Sequence, residues 1–333
     1  MTLKHLHARL AAWIESPGGK RICETVSRVL LASTLAFLIY RLTRVGWGDI
    51  WQSVPTTPVF YLLFAVNYFL LPFSEALTFR LTWSFDLWRG LPAFFRKHVY
   101  NHDVIDYSGE VYLYVWATKR LRRPEGEALR TIKDNSILSS VIGLLVALVM
   151  PLVLFSLGQL APERNFSVTE IVAIMVAPLV TGAFCGAIWL CRRTIFSLPA
   201  ATLAAVGGIH LGRFLLINLL TIVQWSVVMP EEPLAVWWTL LAAQNLIGRL
   251  PSVIRKDLIF VAAGVELSGG LSVPAAAVAG MLLVSSVLDS VTNALIFSTT
   301  MFVGGDEDLA PSTAAGEPLA DTRLPEACYD SAA

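Results

Sequence analysis

The chain has 333 residues, 55% of them hydrophobic and 15% charged, and its 25 basic and 25 acidic side chains cancel. Soluble domains carry about 25% charged residues, so this composition and a mean hydropathy of +0.63 exclude a water-soluble enzyme. They predict an all-α polytopic membrane protein, in which long apolar runs satisfy their own backbone hydrogen bonds as helices.

Residues 1–25 form a basic leader, and no small-residue cleavage site follows the first apolar run, which is therefore read as a retained span. Apolar runs of spanning length stand at about 26–43, 57–74, 136–158, 168–191, 210–229, 234–250 and 273–303, giving seven predicted transmembrane helices. Lys and Arg number five up to Arg28 and ten in 75–135, against Arg164 alone in 159–167. Basic connections stay cytoplasmic, which puts the N-terminus, 75–135, the turn at Arg192 and Arg193 and the 249–257 region on the cytoplasmic side of the inner membrane. The tail, 304–333, is rich in Ala, Pro, Gly and acids and is expected to be disordered.

Two segments break this pattern. Residues 98–118 run from polar to apolar and aromatic at Glu110, and residues 252–268 do the same at Asp257, before Ser268, Gly269 and Gly270. Both read as re-entrant half-helices, which membrane proteins tolerate where they are buried in protein or line a wet cavity. One acid precedes each apolar half, so the pair points to an internal inverted repeat with a binding site at its interface.

Three passages resemble a known family: EALTFRLTW at 75–83, YNHDVIDYSGEVYLYVWATKR at 100–120, and the stretch from Asn245 to Leu295 that carries the Pro, the acid, the short helix and the final span. They look like the transmembrane region of the lysylphosphatidylglycerol synthase/flippase family in its stand-alone form. The resemblance covers about residues 20–303 and implies a flippase that binds and moves a polar-headgroup lipid of phospholipid or polyprenyl type. It does not imply lysyl transfer, which belongs to a separate soluble domain of that family.

The candidate headgroup residues are Arg80, Asn101, Glu110, Asn245, Arg249, Arg255, Lys256 and Asp257. Guanidinium and ammonium groups take a phosphate, while Glu110 and Asp257 would set the local charge at half-helix N-termini, where the dipole also favours a plain capping role. Asp289 stands within the last apolar run, where a carboxylate costs several kcal/mol unless protonated or paired, and is read as a coupling or structural group. The expected partners are membrane lipids bearing an anionic or phosphate group. Nucleic acid is not expected, because the basic run 119–133 beside a membrane reads as attraction to anionic lipid. No cofactor is expected. His98, His102 and Asp106, spaced four apart, carry a rival reading as ligands of a metal-dependent lipid-modifying enzyme; the other rival is a scaffold without transport in a lipid or glycan biosynthesis complex.

Overall fold

The computed structural model describes residues 36–104, 106–156, 176, 179–180, 182–183, 185–188, 190–250 and 256–303. The leader, the tail and Arg255 lie outside the described residues. The described chain is helical and without strands, and it is a membrane-embedded protein: four helices, Pro58–Arg80, Glu125–Met150, Ala200–Ser226 and Ala275–Thr300, are long and apolar enough to cross a bilayer.

After a helical stretch at 36–45 come α1 (Trp47–Gln52), α2 (Pro58–Arg80), α3 (Leu87–Val99), a π-turn (Tyr100–Val104), α4 (Ser108–Arg120) and α5 (Glu125–Ser156). Past the partly described 176–190 segment and a short turn at Arg192–Ile195 follow α6 (Ala200–Ser226), α7 (Leu234–Ile247), α8 (Lys256–Gly270) and α9 (Ala275–Val303). The order long, short, short, long thus occurs twice: 23, 13, 13 and 32 residues, then 27, 14, 15 and 29.

Local chemistry places the boundaries. Pro58 opens α2, where a missing N–H costs nothing. Asp86 caps α3 by accepting from the Arg89 N–H at 2.9 Å, a bond worth about 1 kcal/mol. Tyr107 takes a left-handed φ of 69° just before α4. The Asn101 side chain accepts from the Gly109 N–H at 2.7 Å, and the Ser108 hydroxyl donates to the Tyr100 carbonyl at 2.7 Å. Position 109 must be glycine, because a Cβ there would collide with the Lys97 carbonyl oxygen.

Side-chain pairs fix the helix directions. Asn67 meets Thr221 and Glu75 meets Arg213, so α2 and α6 are antiparallel. Asn135 meets His210, Ser139 meets Arg213 and Met150 meets Asn218, so α5 and α6 are parallel. Arg96 meets Thr300 and His102 meets Asn293, so α3 and α9 are antiparallel. In the same manner Asn245 meets Met150, and the Arg249 guanidinium fills the place of a Cβ on Gly143, so α7 and α5 are antiparallel.

The segment 75–135, read from its charges as a cytoplasmic connection, is mostly helical and contributes a buried core of its own. Phe79, Trp83, Phe85, Phe94 and Trp116 build an aromatic cluster under the α3–α4 hairpin, and burying rings of that size outweighs the exposed charges of Arg89 and Lys119. A separate core of Trp225, Trp237, Leu240, Phe260, Val278 and Leu282 packs the α7–α8 hairpin. The run 234–250, read as a span, yields the 14-residue α7. At about 1.5 Å per residue such a helix is roughly 21 Å long, short of the roughly 30 Å hydrocarbon core.

Candidate functional site

Where the two hairpin tips approach each other, the Lys256 ammonium pairs with the Asp106 carboxylate at 3.1 Å. Below that pair lies a cavity of about 360 Å³. His98 and His102 reach it from the first hairpin, Gln244, Lys256 and Asp257 from the second, and Ser285, Ser286 and Asp289 from α9. Asn67 and Tyr68 of α2 and Thr221 and Gln224 of α6 add polar edges, while Phe64, Leu71, Ile217 and Phe260 make the remaining wall apolar. A polar patch enclosed by an apolar wall accommodates an amphipathic ligand.

The cavity edge is ordered by hydrogen bonds. The Tyr68 hydroxyl donates to the Asn293 side-chain oxygen at 2.5 Å. The Asn293 amide reaches His102 Nδ1 at 3.2 Å, which also lies 2.8 Å from Asp103. Burial opposes a charge on His102, but the Asp103 bond and the nearby carboxylates overcome it and raise its pKa. His98 differs: burial, with His102 adding to it, lowers its pKa to about 4. The Ser286 hydroxyl donates to Asp257.

A second polar centre sits away from the cavity. The Lys97 ammonium is 2.9 Å from Glu75 and 3.1 Å from Glu110, with its side chain 4% exposed. The Arg213 guanidinium stands 3.8 Å from Glu75 and donates to Ser139 at 3.0 Å. Burial works against the Lys97 charge, yet the two carboxylates hold its pKa above that of an ordinary lysine. Arg213 and Arg249 both lie over the Phe214 ring, at 4.7 and 5.4 Å from its centre.

The structure therefore divides the sequence candidates. Lys256, Asp257, Asp289, His98 and His102 come together in the cavity, and Asp106 closes over it through Lys256. Glu110 instead belongs to the Lys97 cluster. Asn101 is engaged as the cap of Gly109, and Asn245 bridges Asn218 and Met150 at 3.3 and 3.9 Å. Arg80 is exposed at the end of α2, and Arg249 stacks on Phe214 outside the cavity lining. Among the described residues no three His, Cys, Asp or Glu side chains converge as metal ligands: Asp106 faces Lys256 while His102 faces Asn293 and Asp103. Sequence reasoning missed Glu75, Lys97 and Arg213. Arg213 had a signal, a lone guanidinium inside the apolar run 210–229, since ionisable groups at such places mark functional centres.

Comparison with protein-family models, curated proteins and solved structures finds no match for this chain.

Proposed function

We propose that the chain is a lipid-binding membrane protein that translocates a polar-headgroup lipid of phospholipid or polyprenyl type, and that it is an inverted repeat. The observation that carries this reading is the cavity at the junction of two short-helix hairpins, lined by charged and amide groups on one side and apolar side chains on the other. A headgroup sits among Lys256, Asp257, Gln224 and Gln244, while its chains leave along Phe64, Leu71 and Ile217 toward lipid.

The repeat reading rests on spacing and direction together. Asn67 and Arg213 are 146 positions apart, as are Glu75 and Thr221, so the two α2–α6 contacts are each other's counterparts under a pseudo-twofold axis. Glu110 and Asp257 are 147 positions apart and stand in the first turns of α4 and α8. The paired long helices run in opposite directions in the two halves, as an inverted repeat requires.

Because α5 and α6 are parallel, the chain between them must return to the face from which α5 starts. The described residues hold four helices long enough to span and two short-helix hairpins, which this reading takes as re-entrant. The basic segment 75–135 places the first hairpin's base at the cytoplasmic face; the second enters from the opposite face.

The test is transfer of tail-labelled phosphatidylglycerol between leaflets of vesicles of phosphatidylglycerol and phosphatidylethanolamine containing the purified protein. Replacing Lys256 by Ala removes a charge-assisted contact worth about 1.5–3 kcal/mol, so transfer slows by about tenfold or more. Lipid mass spectrometry on the same preparations shows a headgroup retained by the wild type and lost from the variant. Equal transfer rates and the same bulk lipids in both would favour the scaffold.

A further inference from the structure

The pseudo-twofold axis maps the Lys97 cluster onto the cavity. Glu75, Lys97 and Glu110 have as counterparts Thr221, Gln244 and Asp257, and all three of those line the cavity. In the first half the corresponding place is filled: Lys97 bridges Glu75 and Glu110 within 3.1 Å. Glu75 lies toward the C-terminal end of α2, while Asn67, facing the cavity with Thr221, lies nearer the helix middle. One centre is an open cavity and the other is filled by the Lys97 side chain.

Resting on the inverted-repeat reading above, we propose that the chain contains a second headgroup site, facing the cytoplasm, built from Glu75, Glu110 and Arg213 and closed here by the Lys97 side chain. The structure is then the outward-open state, and Lys97 is the inner plug. Release of Lys97 opens the inner site as the second hairpin closes over Gln244 and Asp257. Since the two halves have the same helix order, the exchange repacks each hairpin into the arrangement its counterpart holds now. The ligand class is the lipid headgroup that occupies the outer cavity, received on the other face of the membrane.

Cysteine labelling tests this without any lipid cargo. In a background with Cys23, Cys185, Cys191 and Cys328 replaced by serine, one reporter is Ser74→Cys, buried beside Glu75, and the other is Ser285→Cys in the cavity wall. Reporters are modified with a membrane-impermeant maleimide added to right-side-out or inside-out vesicles. In Lys97→Met, modification at position 74 from the cytoplasmic face rises by about fivefold or more while modification at 285 from the outside falls by a similar factor, because a two-state exchange trades one population for the other. Glu75→Gln, which leaves the Lys97–Glu110 pair in place, moves both reporters the same way by less, and it decides the matter if Lys97→Met does not accumulate. A rise at 74 without a fall at 285 means local loosening and overturns the proposal, as does no change at either reporter in folded protein. Exchange of the reporters without lipid transfer would instead overturn the transport reading and leave the two-site arrangement standing.

Discussion

The two hairpins share a length, a position and an acid at the start of the second helix, yet they are held in different ways. The α3–α4 hairpin is tied by charge: Lys97 joins it to α2, Arg96 joins it to Thr300 of α9 at 2.9 Å, and glycine at 109 lets the two arms touch at the backbone. The α7–α8 hairpin is held by apolar packing around Trp237, Leu240 and Val261, and its tip carries Lys256 and Asp257 to the cavity. Buried ion pairs depend steeply on geometry and are costly to break, whereas apolar contacts have no fixed direction. One hairpin is thus suited to two discrete positions and the other to sliding.

The largest difference is expected between Lys97→Ala and its counterpart Gln244→Ala. Removing Lys97 leaves two carboxylates without their ammonium inside the protein, a loss of about 3–5 kcal/mol. Gln244 faces an open cavity, where a substitution changes stability by about 0.5 kcal/mol or less. Thermal unfolding in detergent reads both, and equal losses would erase the contrast between the hairpins. A smaller effect separates the glycines: Gly109→Ala overpacks a close contact and costs about 1–3 kcal/mol, while Gly269→Ala meets nothing within 4 Å and is neutral or stabilising by the helix propensity of alanine.

A third effect is graded in pH. His98 has its pKa lowered to about 4 by burial from an unfolded value near 6.5. Its stabilising contribution is complete above the unfolded pKa and is lost as pH falls through about 6.5 toward the folded value. His98→Gln flattens the acid side of the stability curve in that window. A curve unchanged by the substitution would place the acid sensitivity elsewhere, in groups other than His102, whose raised pKa makes it gain rather than lose stability as pH falls.

The long helices were legible from apolar runs, and the second hairpin's Lys256 and Asp257 from the break in the final third of the chain. The second arm of the first hairpin was read as a half-helix at 98–118, but its first arm, Leu87–Val99, was not, because Arg89, Arg96 and Lys97 look like an ordinary basic connection. What converts that segment to buried structure is the partner of Lys97, a carboxylate 22 positions away, and no local periodicity reveals such a pairing. Asn101 was found for its type and place, but a polar residue before a half-helix serves a backbone N–H as readily as a ligand, and here it serves Gly109. Asn245 was drawn in by the same analogy and is an interhelical bridge, the usual occupation of amides between spans.

The α2–α6 seam has the form of an isologous contact: position 67 meets 221 as position 213 meets 75. In an oligomer this is the signature of two identical chains facing each other across a dyad. A half-length ancestor able to insert in either orientation would make this seam as an antiparallel homodimer. Joining two such copies into one polypeptide would require one additional crossing, so that the second copy enters the bilayer inverted. On the inverted-repeat reading proposed above, fused halves are free to diverge, and a lysine at 97 opposite a glutamine at 244 is the kind of asymmetry that two identical subunits could not hold.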